Sequence, residues 1–578
     1  MRSKRAIGAV LAAAAPLLAH ALRRARQPIS IDDAYMFLRY AKQILAGHGH
    51  SWNPDGQQVF GVTGSLHLAI VTLLEALLPL SDARVLALAS LAFTALALAA
   101  LARVSLSMLR SPLREDPWLV ALGVWLFVLP QRLFITQALN GMDAMSALFA
   151  NCLVGGAALW LARSGSRRAL LASVGAALLA IFARPDDGLY AVLTPLLAVA
   201  LAGPRPRLPL LAKLAGGLGL ALAGYAVLGT AVFGDPLPLP FYAKSFGYFT
   251  EYSAAHAWNP FEYLGQIFTM WMPMLLVITF GLNRRTAPQL VALLVPVALT
   301  FAYYFSVVQI MGNDARYYVP ATPFAVLAAV IVIDDLWAAR DRASELLRAI
   351  STRWPLALLL VAAAPTVLRD AETAYRPAPA THDPTFPAVC YERPVQGLLS
   401  KVDYESTVAD LSRLARTLPP GVRIALSEHG RIGAAAPQIT LDDLIALHDP
   451  QFAHHGFDPA VELARRPDAI WMPHYFYVPL WHGLITEPRL WQEYEVWPDA
   501  LNYGFAIRRD SPYRDALRSG FAEIWKHFYP DQDMEAWRAT RLRSELPECR
   551  RQSRASGPES PGKPPSTHGA AFVHSAAM

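Results

Sequence analysis

The chain has 578 residues, of which 54% are hydrophobic and only 17% charged, against about 25% charged in an ordinary soluble domain. With a mean hydropathy of +0.29 it has too little charge to cover a water-soluble globule, which argues against a cytosolic enzyme and a disordered chain. The formal charge of +6 is spread over the whole length and leaves no basic footprint for nucleic acid, and three cysteines exclude a disulfide scaffold or a cysteine zinc framework.

Runs of about 17 or more mostly apolar residues can cross a bilayer. In chain order they predict spans at 6–22, 84–109, 118–136, 143–162, 169–183, 188–203, 208–232, 264–282, 287–308, 317–336 and 354–368. The expected fold is therefore a polytopic α-helical membrane protein with about eleven transmembrane helices. The apolar run Leu66–Leu80 is short and is expected to lie on the membrane or re-enter it.

Loop charge sets orientation, because Lys and Arg stay on the cytoplasmic side. The basic connections carry Arg2, Lys4 and Arg5, then Arg110 and Arg114, then Arg163, Arg167 and Arg168. Next come Arg205, Arg207 and Lys213, then Arg284 and Arg285, and last the stretch from Arg340 to Arg353. All of them fall on one side only if residues 23–83 form a single external excursion. The N-terminus is then cytoplasmic and the C-terminal region extracytoplasmic. Arg23, Arg24 and Arg26 sit outside, either as headgroup contacts or as contacts to the phosphate of a lipid-linked substrate.

Past residue 370 the composition changes. Residues 371–394 read as a Pro-rich linker. Residues 395–549 hold an amphipathic helix pattern at Tyr404–Leu418 and β-type runs at Val422–Ser427, Ala469–Pro473 and Gly504–Arg508, the pattern of a small α/β domain. Residues 550–578, rich in Ser, Pro, Gly and Arg, are expected to be disordered. Trp471, Tyr475, Tyr477 and Trp481 could stack on sugar rings or form an aromatic core.

The outward connections concentrate polar residues at the membrane edge, where ionisable groups are costly and tend to be functional. The first holds Asp32, Asp33, Arg39, His48 and Asn53, and the second Asn140 and Asp143. The third holds Arg184, Pro185, Asp186 and Asp187, the fourth Asp235, Tyr242 and Lys244, and the fifth Asn313, Asp314, Arg316 and Tyr317. A hydroxyl acceptor needs a carboxylate base within hydrogen-bond reach, and a departing phosphate needs Lys or Arg. Structural roles compete: Asp32-Asp33 as the N-cap of a helix Ala34–Leu45, Arg184–Asp186 as a buried ion pair, and Lys244 as a snorkelling side chain.

The first connection runs Ile31-Asp32-Asp33-Ala34-Tyr35, Arg39-Tyr40-Ala41, Leu45-Ala46-Gly47-His48-Gly49 and Trp52-Asn53-Pro54-Asp55-Gly56, and continues through Val59, Gly61, Val62 and Thr63. It resembles the first external loop of GT-C membrane glycosyltransferases, most of all the terminal β-(1→2)-arabinofuranosyltransferase family. Gln137–Asp143, Ala183–Asp186, Gly234–Pro238 with Ala243-Lys244, and Gly312–Arg316 resemble further family segments in the same order. Asp143 stands where Glu is usual, and Arg316 follows Asp314 by two. Ser427–Ala435, Asp442 and Leu447–Pro450 resemble a soluble domain of related enzymes, so the likeness spans residues 30–510.

The resemblance implies a GT-C transmembrane domain over 1–370, with a catalytic loop at 23–83. It implies an inverting transfer of a sugar, arabinofuranose in the named family, from a polyprenyl-phosphate donor to a cell-envelope glycan or glycoconjugate. The place is the outer face of a bacterial cytoplasmic (inner) membrane. Asp32 or Asp33 would be the general base. Lys244 and Arg316 would hold the donor phosphate, and Asp143, Asp186 and Asp314 the sugar hydroxyls. Arg39, His48, Asn53, Arg184 and Tyr242 would be further substrate contacts. No cofactor is required; the many carboxylates are compatible with a divalent metal, which a monophosphate donor does not demand. The competing readings are a transporter or flippase of lipid-linked sugar and a non-catalytic envelope-assembly protein. Cys390 and Cys549 lie where disulfides persist, and would be either bonded or two free thiols. Cys152 lies within a span and reads as packing.

Overall fold

The computed structural model describes residues 29, 31–245, 260–305, 307, 313–339, 404–473, 477–498 and 500–539. The expected spans 6–22 and 354–368, the linker, the domain boundaries near 370, 394 and 549, the tail, and the pair Cys390 and Cys549 lie outside the described residues.

Helices α1 (Asp32–Leu45) and α2 (Ser65–Leu77) come first. A bundle follows: α3 (Asp82–Met108), α4 (Pro117–Val128), α5 (Arg132–Leu139), α6 (Ala144–Ser164), α7 (Arg167–Ala183), α8 (Gly188–Ala202), α9 (Arg207–Phe233), α10 (Leu239–Ser245), α11 (Pro260–Gly281), α12 (Ala287–Tyr304) and α13 (Thr322–Ala339). Six stretches among the described residues are long and apolar enough to cross a membrane: Asp82–Met108, Ala144–Ser164, Pro185–Ala202, Arg207–Phe233, Ala287–Tyr304 and Val319–Ala338. The chain is thus a helical membrane protein.

The expected span 118–136 is not one helix. It breaks between α4 and α5 with a bend of 90°. Pro130 lacks an N–H and cannot continue the helical hydrogen-bond ladder, although Leu129 before it keeps helical geometry. Helix α2, at 13 residues, is only about 20 Å long and too short to cross, as the sequence predicts. It buries His67, Leu68 and Val71 and leaves Leu73 and Leu77 exposed. Cys152 is buried and free.

The bundle has two chemically different ends. Helix α6 has 21 residues, which at ~1.5 Å per residue spans about 30 Å, the thickness of a bilayer core. Asp143 precedes its first residue, and Arg163 lies in its last turn. Arg163 donates to the carbonyls of Ser107 and Met108 at the end of α3. Asp334, near the end of α13, accepts from the backbone N–H groups of Arg110 and Ser111. At the other end, Asp143 meets Arg184, the residue that closes α7.

The C-terminal region runs α14 (Tyr404–Thr417), β1 (Arg423–Leu426), α15 (Gly430–Ala435), β2 (Thr440–Asp443), α16 (Pro450–His455), α17 (Pro459–Ala464), β3 (Ala469–Trp471), α18 (Val478–Thr486), α19 (Pro488–Glu493), β4 (Tyr494–Pro498), β5 (Gly504–Arg508) and α20 (Arg514–Phe528). The five strands form one mixed sheet in the order β2-β1-β3-β5-β4. Strand β1 is parallel to β2 and β3, whereas β5 is antiparallel to β3 and β4. Strands β2 and β4 were not expected. The two aspartates of β2, Asp442 and Asp443, make a poor strand by propensity, and pairing with β1 overrides it. Trp471 is core, stacked on Tyr503 and bonded to the Leu501 carbonyl, and Tyr477 is buried beside it in the same apolar cluster.

Helix α1 joins the two parts. Eleven of its 14 residues are buried, and its apolar side chains share one core with α2, α3 and the sheet region. Its charged side chains satisfy both ends of α15. At the start, Asp32 accepts from the N–H of Gly430 at 2.6 Å and of Arg431 at 2.9 Å. At the far end, Arg39 donates to the carbonyls of Gly433 (3.0 Å) and Ala436 (3.2 Å), and Lys42 to that of Ala434 (2.8 Å). These are the backbone groups that a short helix leaves without partners. Glycine permits the approach, since a Cβ on Gly430 would stand 2.0 Å from the Asp32 carbonyl oxygen.

Arg39→Ala is expected to cost ~3 kcal/mol or more, because several buried carbonyls lose their donor at once. The check is a lower thermal midpoint in detergent with faster proteolysis within residues 404–539. Gly430→Ala should weaken the same seam by forcing the two backbones apart.

Candidate functional site

An open cavity, with about 890 Å³ of space when its solvent-filled mouth is counted, lies at the carboxylate-bearing end of the bundle. Its polar lining is Asp33 from α1, Thr63, Asp143, Arg184, Asp186, Lys244 from α10, Tyr304 from α12, and Arg316 and Tyr317. Met36, Phe37, Val62, Met142 and Phe241 supply apolar wall, and Leu447 reaches in from the C-terminal region.

Two charge groups share this space. In the first, Arg184 forks onto Asp186, Nε to Oδ1 at 3.0 Å and Nη2 to Oδ2 at 2.6 Å, while Nη1 stands 3.5 Å from Asp143. The Tyr304 hydroxyl donates to Asp186 at 3.0 Å, and the Thr63 hydroxyl to Asp143 at 3.3 Å. A Cβ on Gly64 would stand 2.7 Å from that of Asp143, so the loop can pass there only as glycine. In the second group, Arg316 Nη2 donates to Asp33 Oδ2 at 3.1 Å and to the Tyr317 hydroxyl at 3.3 Å. Lys244 Nζ donates to the same hydroxyl at 3.4 Å. The guanidinium carbons of Arg184 and Arg316 lie 5.0 and 5.1 Å from the Tyr317 ring centroid. Tyr317 therefore gathers all three cations. Burial alone would push its phenol up, but Lys244, Arg316 and Arg184 outweigh that and hold it below the usual tyrosine range. Arg316 Nε and Nη1 are buried without a hydrogen-bond partner among the described residues. Asp33 Oδ1 accepts no hydrogen bond among them either.

The two neighbouring aspartates thus have different surroundings. Asp33 faces the cavity, and Asp32 turns away to the N–H groups of α15. Neither caps α1: both lie in its first turn, and Ile31 is the N-cap residue. Burial pushes the Asp32 carboxyl up, against the Arg431 and Gly430 N–H groups and the charge of His429 that pull it down. Glu428 follows β1 and accepts from the Tyr404 hydroxyl at 2.9 Å. Its carboxyl is pushed up to about 8, by burial first and then by Asp32.

Of the residues expected to bind substrate, Asp143, Arg184, Asp186, Lys244 and Arg316 line the cavity. Arg39, His48, Asn53, Tyr242 and Asp314 do not. Arg39 is fully buried in the α1–α15 seam. Asn53 pairs with the backbone of Leu441 through both ends of its amide, at 2.8 and 3.1 Å, and accepts from Arg39. His48 Nδ1 closes a turn onto the Pro54 carbonyl at 2.6 Å. Tyr242 packs on His454, whose Nε2 meets Asp235 at 2.8 Å. Asp314 is in left-handed geometry with φ 54°, and its carbonyl accepts from Gln137. Tyr304 and Thr63 were missed as site residues, and Tyr317, although part of the fifth outward connection, was given no role. Tyr317 follows Arg316 directly, and that adjacency was the available signal.

The cavity carboxylates are each matched by an arginine, Asp33 by Arg316 and Asp143 and Asp186 by Arg184. That pairing leaves little negative charge to gather a cation there. Among the described residues the grouping that fits a metal lies elsewhere, at His429, Asp443 and His448. Burial would raise the Asp443 carboxyl, but His429 and backbone N–H groups outweigh it and hold it at about 2.

No family model matches the chain, and no curated protein matches it. Among solved structures it is similar to the Archaeoglobus fulgidus oligosaccharyltransferase in complex with zinc and sulfate. The identity is 13%, over 85% of this chain and 72% of that one, with a TM-score of 0.43, too slight a likeness to argue from.

Asp186→Ala is expected to destabilise the protein by about 3–5 kcal/mol, because it leaves buried Arg184 without its bidentate partner. Tyr304→Phe, which removes one hydroxyl, should cost only about 1 kcal/mol. Thermal midpoints of the two variants in detergent check the ranking.

Proposed function

We propose that the chain is an inverting membrane glycosyltransferase of the GT-C type. It transfers a sugar from a polyprenyl-phosphate donor to a hydroxyl of a cell-envelope glycan or glycoconjugate. The observation that carries this reading is Asp33, a cavity carboxylate whose Oδ1 accepts no hydrogen bond among the described residues and which stands beside cations gathered on Tyr317. Its roles follow from charge. The acceptor hydroxyl gives its proton to Asp33, and its oxygen bonds to the anomeric carbon. The bond from that carbon to the phosphate oxygen breaks through an oxocarbenium-like state, and the electron pair leaves with the polyprenyl phosphate. Arg316 offers Nε and Nη1 to that phosphate while Nη2 still holds Asp33, and Lys244 adds a mobile positive charge. Arg316 thereby fixes the distance between base and leaving group. Asp143 and Asp186, held by Arg184, are acceptors for sugar hydroxyls.

Arabinofuranose is the sugar that the first-loop resemblance names. A carrier of lipid-linked sugar would keep its polar groups near the middle of the bilayer. Here they sit at one end, about 30 Å from the arginine-rich end, which supports transfer at one face. By the charge rule the cavity end faces outward from a bacterial cytoplasmic membrane.

Asp33→Asn should lower transfer from a polyprenyl-phosphate sugar by about a hundredfold or more with the fold intact. Asp32→Asn should lower the thermal midpoint and keep most of the turnover. Arg316→Lys and Lys244→Met should raise KM for the donor. Full activity in Asp33→Asn would overturn the assignment. For orientation, Asp55→Cys, at an exposed position, should react with an impermeant maleimide from the outside of intact cells; labelling only after lysis would place the cavity on the other face.

A further inference from the structure

We propose that His429, Asp443 and His448 bind a divalent transition-metal ion, with zinc chemistry, at the seam between the C-terminal region and α1. One ligand atom from each lies within 4.8 Å of the others. The residues are 2%, 1% and 4% exposed. A buried imidazole normally has both nitrogens satisfied. Nδ1 of His429 makes no hydrogen bond among the described residues, and Nε2 is ion-paired with Asp443 Oδ1 at 3.0 Å. An N–O separation of 3.0 Å also lets both atoms ligate one ion at about 2 Å each.

The other two ligands are held in place by their surroundings. Asp443 Oδ1 accepts the Ile445 N–H at 2.9 Å, and Oδ2 accepts those of Leu447 and His448, each at 2.7 Å. One lone pair of Oδ1 is left on the His429 side. The His448 ring stacks on Trp52 at 3.8 Å, with Nδ1 3.1 Å from the Tyr40 hydroxyl. With Nδ1–H donating to that hydroxyl, the other nitrogen would carry the lone pair that a metal needs. That nitrogen, Nε2, is 2.9 Å from Met36 Sδ, so a soft donor stands at the same point. Two imidazoles, a carboxylate and a neighbouring thioether suit zinc better than magnesium or calcium, which prefer all-oxygen shells.

The ligands come from the start of α15, the end of β2 and the loop after it. Their neighbours Tyr40 and Met36 belong to α1, and the same loop carries Leu447 to the cavity wall. The ion would lock that loop and the start of α15 onto α1. Its role is structural and does not rest on the glycosyl-transfer reading.

The test uses the full chain purified in detergent and dialysed against metal-free buffer. Elemental analysis should find about one equivalent of zinc per chain. After chelation, added Co²⁺ should give the visible absorption of a four-coordinate site, and zinc should restore the thermal midpoint. His429→Gln with His448→Gln, which keeps side-chain bulk, should remove the metal, whereas Asp33→Asn should retain it. A folded wild-type chain holding less than about a tenth of an equivalent, and binding neither ion stoichiometrically, overturns the proposal. So does a folded double variant that keeps its zinc, and so does loss of the zinc in Asp33→Asn, which would put the ion in the cavity.

Discussion

The structure depends on one constraint: α1 is charged, almost wholly buried, and must be satisfied from both sides. An aspartate and an arginine seven residues apart lie on the same side of a helix, about two turns from each other. In α1 those residues are Asp32 and Arg39, and they meet the N–H end and the C=O end of α15. Their charges complement the partial charges at the two ends of that helix. Each burial is tolerable only because the other part of the molecule supplies the partner. The glycines of α15 let the backbones come close enough for this; a Cβ on Gly433 would stand 2.8 Å from Arg39 Cδ.

That seam also sets up the cavity. With Asp32 committed to α15, the next residue, Asp33, points about 100° around the helix and faces the opening. The opposing wall comes from connections that are distant in sequence, Arg184, Lys244 and Arg316–Tyr317, drawn together where the helices end. Three acids and three cations at low dielectric would each be costly alone. Paired through Arg184 and through Tyr317 they form two compensated groups, and the second keeps donors on Arg316 that have no partner among the described residues. A phosphate entering there would meet existing donors and need little rearrangement.

Much of this was legible in the chain itself, for definite reasons. Apolar run length located the described helices, and the break at Pro130 shows where it failed: a proline inside a long apolar run changes direction without changing hydropathy. The loop carboxylates and cations stood out because charge is rare in this composition. Sorting them was a different matter. Arg39, Asn53 and Arg316 look alike as polar residues in outward connections, yet two of them close a seam and one faces the cavity. Strand β2 was invisible because Thr-Leu-Asp-Asp has no strand signature until β1 lies beside it.

The sequence by itself determined a membrane bundle with a basic end and an acidic end, because run length and loop charge act locally and need no partner. Only the tertiary structure decided which aspartate of the Asp32-Asp33 pair faces the cavity. That choice turns on where the backbone of α15, some 400 residues away, places its free N–H groups. The same holds for His429, Asp443 and His448, which have no recognisable spacing along the chain and come together only because β1 and β2 are neighbours in the sheet.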